Sequence, residues 1–244
     1  MNRLGTELER LFLGGLVFAP DDAQALSLVD VRQRTRTLVL EVVQPANWEA
    51  LSEVWQGVQM ELELPAPGIA VSGSDGLQLW FPLETAIAVG QAHAFLAALR
   101  ERFLDHLPAA RVRLWPTPDG RHTALVPAAQ SDGNWSAFVA PDLAAVFSET
   151  PWLDVEPGEE GQAALLRALQ SIKPAAFDAA LAGMRPAARH APARETAPVP
   201  HAGSDDDPRR FLLRVMNDET APLALRIEAA KALLSPARQD AGTR

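Results

Sequence analysis

Residues 71–83 read VSGSDGLQLWFPL, and the interpretation of the whole chain starts from them. The glycines within residues 72–76 predict a tight turn, because glycine adopts backbone angles that other residues reach only at a cost. The alternation after the turn predicts a strand over residues 77–81, since successive side chains of a strand point to opposite faces. One face carries Leu77, Leu79 and Phe81, and the other carries Gln78 and Trp80.

The flanking patterns predict an α+β fold. They indicate strands over residues 37–43, 69–72 and 111–115, and helices over residues 48–62 and 89–106. Together with the central strand, the order is strand, helix, strand, strand, helix, strand, which is typical of the ferredoxin-like and RNA-recognition-motif (RRM) βαββαβ core. Both helices are expected on one face of the sheet, because their apolar stripes must be buried there. We also expect an N-terminal helix near Leu4 to Phe12, extra strands over residues 124–126 and 135–139, and a helix over residues 161–181.

Composition divides the chain into three parts. Residues 1–184 have the apolar content of a single folded domain. Residues 185–207 are rich in Pro and Ala with almost no large apolar side chains, which predicts a flexible linker. Residues 208–216 and 222–234 have the spacing of two short helices, so residues 208–244 are predicted to contain a helical hairpin that docks on a partner or on the main domain.

Several classes of protein are excluded or disfavoured by composition. The chain contains no cysteine, which rules out disulfides, thiolate metal sites and cysteine nucleophiles. It shows no signal-like N-terminus and no apolar run near the ~20 residues that span a membrane, so we expect a cytoplasmic protein with no membrane partner. Residues 1–184 carry 12 basic and 23 acidic side chains, a net charge of −11. That charge disfavours tight, sequence-independent binding to nucleic acid.

The predicted second face of the sheet gathers the candidate site residues. In the βαββαβ order the first and third strands are neighbours and the fourth flanks the first, so Glu41 is expected beside Gln78 and Arg113. A carboxylate in that position pairs readily with an arginine. The same face, expected to be open, receives Val39, Val43, Trp80, Arg111 and Trp115. Ser72 and Ser74 lie in the adjoining turn and complete the candidate set for nucleotide or nucleic-acid binding.

This arrangement resembles the archaeo-eukaryotic primase-polymerase superfamily over roughly residues 37–181. The segment SGSDGLQLWF is similar to the family's Ser-Gly-x-x-Gly-x-His strand, and TLVLEVVQP stands where the family has a metal-binding Asp-x-Asp strand. The resemblance implies nucleotidyl transfer with divalent metal such as Mg²⁺ or Mn²⁺. Here, however, Glu41 is the only metal-carboxylate equivalent, Val43 replaces the second carboxylate, and Gln78 replaces the histidine. Two-metal catalysis needs several carboxylates, so we interpret the chain as a degenerate relative of the superfamily that neither catalyses nucleotidyl transfer nor binds a cofactor.

Alternatives remain open for the individual residues. Glu41 is either a relict metal ligand or, more in keeping with its neighbours, the partner of Arg113 or another arginine in a structural salt bridge. Trp80 and Trp115 either stack on bases or are buried beneath later strands or the N-terminal segment. Arg111 and Arg113 either hold phosphate or balance nearby acids, and the serines of the turn give only a weak phosphate-binding signal.

Three functions follow from the sequence. The first is a catalytically degenerate primase-polymerase-like accessory protein that binds single-stranded nucleic acid or a nucleotide weakly. The second is a protein-interaction adaptor that docks a partner through residues 208–234. This segment also resembles a helical segment of phage small terminase subunits, which indicates a mobile-element origin. The third is an active nucleotidyltransferase with rearranged ligands, which the missing carboxylates disfavour.

Overall fold

The stretch around Gln78 forms the longest strand of an antiparallel six-stranded sheet in the computed structural model, which describes residues 2–16 and 28–184. The strands are β1 (Arg34–Val43), β2 (Gly68–Val71), β3 (Gly76–Ala88), β4 (Val112–Trp115), β5 (Ala128–Ala129) and β6 (Trp135–Val139). The α-helices are α1 (Arg3–Leu8), α2 (Trp48–Met60), α3 (Val89–Phe103), α4 (Glu159–Arg167) and α5 (Pro174–Met184). A π-helical turn, Glu9–Leu13, extends α1, and short 3₁₀ turns lie at Ala109–Arg111 and Ala144–Ser148. The predicted α+β class is confirmed.

The sheet has the strand order β4-β1-β3-β2-β6-β5. Its register places Glu41 of β1 directly opposite Gln78 of β3 and, on the other side, opposite Arg113 of β4. The neighbours expected for Glu41 are therefore confirmed. A tight turn after β2 leads straight into β3, and the two strands pair from Val71↔Leu77 to Gly68↔Trp80.

One face of the sheet packs against α2, α3 and α5, as the apolar stripes of the first two helices require. Asn47 caps α2 by accepting a hydrogen bond from the Ala50 N–H at 3.2 Å. The aromatic centre of this core is Phe95, which contacts Phe81 of β3 and stacks on Phe177 of α5. The main strand residues in this layer are Leu38, Leu40, Val42, Leu77, Leu79 and Phe81.

The opposite face is covered, which corrects the expectation of an open surface. The N-terminal helical segment and α4 pack over it and form a second apolar core. Trp80 is 0% exposed and lies between Phe12 and Phe138, with ring centroids 5.3 and 5.6 Å away. A base cannot stack on a ring that is buried on all sides, so the prediction of Trp80 as a nucleic-acid contact is wrong. The alternative for Trp80, burial beneath the N-terminal segment, is confirmed.

Smaller differences have local causes. The helix expected over residues 161–181 is two helices, because Ile172 between them bridges to Leu83 and donates its N–H to the Pro82 carbonyl at 2.8 Å. The strand expected over residues 124–126 is absent, and β5 forms the hairpin with β6 instead. The linker and the C-terminal hairpin lie outside the described residues. Among the helices that are described, none has the length and apolar content to span a membrane.

Candidate functional site

A small polar cavity of about 220 Å³ lies where β1, β3 and β4 meet the turn after β2. Six of the candidate residues from the sequence line it: Glu41, Ser72, Ser74, Gln78, Arg113 and Trp115. Two candidates do not. Trp80 lies in the second core, and the Arg111 side chain turns back to donate hydrogen bonds to the carbonyls of Val43 at 3.1 Å and Pro45 at 2.6 Å. The expectation that Arg111 contacts a ligand alongside Arg113 is therefore corrected.

A continuous chain of side-chain hydrogen bonds, the buried relay, runs from the second core into this cavity. The Trp80 indole N–H donates to Gln78 Oε1 at 2.8 Å, and Gln78 Nε2 donates to Glu41 Oε1 at 3.2 Å. The Trp115 indole N–H donates to the other carboxylate oxygen, Oε2, at 3.3 Å. An indole N–H can only donate, so Trp80 fixes which end of the Gln78 amide faces Glu41.

Glu41 is a buried carboxylate held mainly by uncharged donors. Its exposed fraction is 3%, and burial raises the pKa of its carboxyl above the ordinary value. The hydrogen bonds from Gln78 and Trp115 and the charge of Arg113 act in the opposite direction but do not outweigh burial. The nearest cation is the Arg113 guanidinium, whose Nη1 lies 3.7 Å from Oε2.

Arg113 has a closer partner that the sequence did not reveal. Its guanidinium donates to both carboxylate oxygens of Asp75, each at 2.9 Å, in a bidentate pair. These bonds are the main reason that the pKa of Arg113 rises above its ordinary value. The predicted Glu41–Arg113 salt bridge is present only as the longer contact. The turn position of Asp75, directly before β3, was the signal that could have identified this partner.

The turn that carries Asp75 is held by its own serine. Ser72 Oγ accepts hydrogen bonds from the backbone N–H groups of Ser74 at 3.1 Å and Gly76 at 2.9 Å. Gly73 has φ +84°, and a Cβ there would lie 2.7 Å from the Gln130 side chain and 2.8 Å from the Ser136 backbone nitrogen. Ser72 therefore stabilises the turn, and its oxygen points toward backbone donors that a bound phosphate would otherwise use.

Gly76 makes the space in which Glu41 lies. A Cβ at this position would stand 2.7 Å from Glu41 Oε1, 2.8 Å from Glu41 Cγ and 2.9 Å from Val43 Cγ1. Real Cβ atoms essentially never approach that closely. The second glycine of the turn is thus required by the packing of the buried carboxylate as well as by the chain reversal.

A partly buried histidine lies on the same side of the sheet, outside the cavity. The two ring nitrogens of His122 face backbone carbonyls, with Nε2 3.0 Å from Thr37 O and Nδ1 3.3 Å from Thr123 O. Burial of the ring lowers the pKa of His122 to about 4, although both carbonyls favour the protonated form. His122 is therefore neutral at pH 7 and carries no positive charge for a phosphate.

The donor set around Glu41 differs from a metal site. Within residues 2–16 and 28–184, no group of three or more His, Cys, Asp or Glu side chains is arranged to hold a metal ion. Val43, at the second metal position implied by the resemblance, is a buried apolar residue with no oxygen to offer. A comparison of the chain with models of protein families and with curated proteins finds no match to either.

Proposed function

We propose that this chain is a primase-polymerase-like domain without nucleotidyl transfer, acting as an accessory protein in a nucleic-acid-associated complex. The fold supports the kinship: β1 to β4 occur in the order β4-β1-β3-β2, with α2 and α3 on one face, as in the split βαβ arrangement. The turn and strand that carry the resemblance to this superfamily adjoin the Glu41 cavity.

One observation supports the proposed loss of nucleotidyl transfer. Both oxygens of Glu41 accept hydrogen bonds from side chains, one from Gln78, which is itself bonded to the buried Trp80, and one from Trp115. A divalent cation prefers six or more oxygen ligands, whereas this position offers one carboxylate already engaged by donors. Glu41 is therefore part of a structural hydrogen-bond network at the relict metal position.

Size and charge limit what the cavity binds. About 220 Å³ lies below the roughly 300–1,000 Å³ typical of small-molecule sites, so a whole nucleotide does not fit inside it. Ser74 and Arg113 at the rim remain available for a weak phosphate contact. With a net charge of −11 over residues 1–184, such a contact with a single strand would be weak and lost at moderate salt.

Binding and incorporation assays test this proposal. Thermal unfolding is recorded with Mn²⁺ and nucleoside triphosphate, and primer extension is assayed under the same conditions, for the wild-type chain and Glu41→Gln. A ligand at 100 times its Kd adds about 2.7 kcal/mol of stability. We expect no metal-dependent stabilisation and no extension in either protein. Stabilisation or incorporation that disappears in Glu41→Gln contradicts the proposal.

The weak contact with nucleic acid has a separate test. Fluorescence anisotropy of a labelled single-stranded oligonucleotide is measured at low and moderate salt, with Arg113→Gln beside the wild-type chain. We expect low-affinity binding at low salt that Arg113→Gln weakens further. If the oligonucleotide does not bind at low salt, the nucleic-acid part of the proposal is wrong. The loss of nucleotidyl transfer is tested separately, by the experiment with Mn²⁺ and nucleoside triphosphate.

The second candidate function is a protein-interaction adaptor that docks a partner through residues 208–234. These residues lie outside the described part of the chain, and the support is their sequence, with two apolar-spaced segments similar to a helical segment of phage small terminase subunits. Deletion of residues 185–244 is expected to leave a folded domain that no longer associates with its partner. A complex that survives the deletion contradicts this function.

A further inference from the structure

A second, larger depression shares no lining residue with the cavity described above. This apolar groove has a volume of about 840 Å³ and runs beside the paired strands β2 and β6. Its walls come from α2, α4 and the loop that links β6 to α4. The aromatic and aliphatic side chains that define it are Trp55, Phe138, Phe147, Leu153, Leu165 and Leu169.

The polar groups in the apolar groove are already satisfied. The Trp55 indole N–H donates to the Pro67 carbonyl at 3.1 Å. Gln162 uses both ends of its amide on the backbone of Phe138, accepting from its N–H at 2.8 Å and donating to its carbonyl at 2.9 Å. Both side chains are engaged by the protein backbone, and the other lining side chains are apolar, so the groove favours an apolar surface.

The chain segment that borders the apolar groove, residues 140–162 and here called the rim, is strongly acidic. Residues 140–162 contain six Asp and Glu side chains and no Lys or Arg, and all six acidic residues are exposed. Two of them, Glu159 and Glu160, contact Asn2 and Arg3. In the part of the chain that the structure describes, the other four form no ion pair: Asp142, Glu149, Asp154 and Glu156.

We propose that the apolar groove binds a basic amphipathic helix of a partner protein. Such a helix presents an apolar stripe to the groove and places Lys or Arg beside the rim, which is the helix-in-groove mode of recognition. Leu143, which lines the groove, is 51% exposed, and neighbouring Val146 is 69% exposed, so apolar surface extends beyond the groove itself. This inference does not depend on the proposed loss of nucleotidyl transfer.

Charge decides between this occupant and the other apolar ligands of similar size. A fatty acid or phospholipid brings an anionic head group to the rim, where six uncompensated or weakly compensated carboxylates repel it. Nucleic acid is disfavoured for the same reason. A basic helix instead gains electrostatic attraction that speeds association and decreases with salt.

A single fluorescent label on the natural chain provides the assay. Because the chain has no cysteine, Val146→Cys places an environment-sensitive fluorophore beside the apolar groove without further substitutions. The probe is a synthetic helix of about 18 residues, five turns, with Leu on one face and Lys on the other. The matched peptides replace Lys by Glu, or keep the composition and scramble the helical spacing. Sodium oleate is titrated separately.

We expect saturable, salt-sensitive binding of the Lys peptide and binding weaker by about tenfold or more for both matched peptides. Leu143→Asp should weaken the Lys peptide by a similar factor, whereas Met60→Asp, at an 81% exposed apolar residue outside the groove, should not. Charge reversal in Asp154→Lys/Glu156→Lys should also weaken it, and circular dichroism confirms that each variant is folded. Equal binding of the Glu peptide, equal effects of Leu143→Asp and Met60→Asp, or a response to oleate alone overturns the proposal.

Discussion

Replacing Glu41 by Gln and Trp80 by Phe, singly and together, tests whether the buried relay acts as one unit. In Glu41→Gln the amide oxygen is expected to stay beside Arg113 and Trp115, which turns the new NH₂ group toward the Gln78 NH₂. Gln78 cannot reverse its amide, because its oxygen accepts the Trp80 indole N–H at 2.8 Å. Trp80→Phe removes that donor and allows Gln78 to turn. The double variant therefore recovers a hydrogen bond that Glu41→Gln alone loses.

The magnitude follows from the cost of an unpaired buried donor or acceptor, about 1–3 kcal/mol. Glu41→Gln leaves the Gln78 NH₂ group without an acceptor, and Trp80→Phe leaves the Gln78 oxygen without a donor. The double variant leaves only one of these ends unpaired. Cavity formation at Trp80 and loss of the charge at Glu41 cancel in the cycle. We expect the double variant to be about 1–3 kcal/mol more stable than the sum of the single changes predicts.

Urea unfolding of the four proteins at pH 7 measures this coupling free energy. The matched control is Trp55→Phe, because the Trp55 indole N–H donates to the Pro67 carbonyl in a separate part of the fold. Independent sites add to within about 0.5 kcal/mol, so the cycle of Glu41→Gln with Trp55→Phe should show no coupling beyond that. If the cycle with Trp80→Phe is also additive, the relay through Gln78 is refuted.

Two further predictions concern the same side of the sheet. Gly76→Ala should lower the free energy of unfolding by about 1–3 kcal/mol, because the new methyl group displaces Glu41. The control is Gly90→Ala, where a Cβ meets nothing within 4 Å, and its free energy of unfolding should be unchanged or higher by up to about 1 kcal/mol. Thermal or urea unfolding measures both, and equal losses would contradict the packing argument. The neutral His122 stabilises the fold above pH 6.5, and the contribution is lost as the pH falls toward about 4, because the unfolded chain binds the proton more readily. This change lowers the free energy of unfolding by up to about 3 kcal/mol. Between pH 7 and pH 4, the urea midpoint should fall more steeply for the wild-type chain than for His122→Gln. Both proteins contain Glu41, so its opposite contribution cancels in the comparison. Parallel curves would refute the lowered pKa of His122.

Much of the sheet could be predicted because the information is local. The alternation over residues 77–81 assigns Gln78 and Trp80 to one face, and the turn before it specifies the partner strand. Once the order of strands and helices is read, the neighbours of Glu41 follow from counting residues along each strand. The structure has Gln78 and Arg113 at those neighbouring positions.

The covering of the second face could not be predicted in the same way. Trp80 is buried by Phe12 and Phe138, which are far from it in sequence, and no periodicity connects the three residues. The sequence places Asp75 in the turn directly before β3, but the bidentate geometry of its pair with Arg113 depends on the exact position of that turn in space. Local patterns assign a side chain to a face, whereas tertiary contacts decide whether that face meets solvent.

The helices α1 and α4, far apart in sequence, meet at the second face, and this has a consequence for the order of assembly. Asn2 and Arg3 contact Glu159 and Glu160, while Arg10 donates to the carbonyl of Leu166 at 3.0 Å. During synthesis, the apolar side of α1 is therefore shielded only after α4 has been made. Long loops must close before such contacts form, so this layer is expected to consolidate late, after the hairpin of β2 and β3 has already paired.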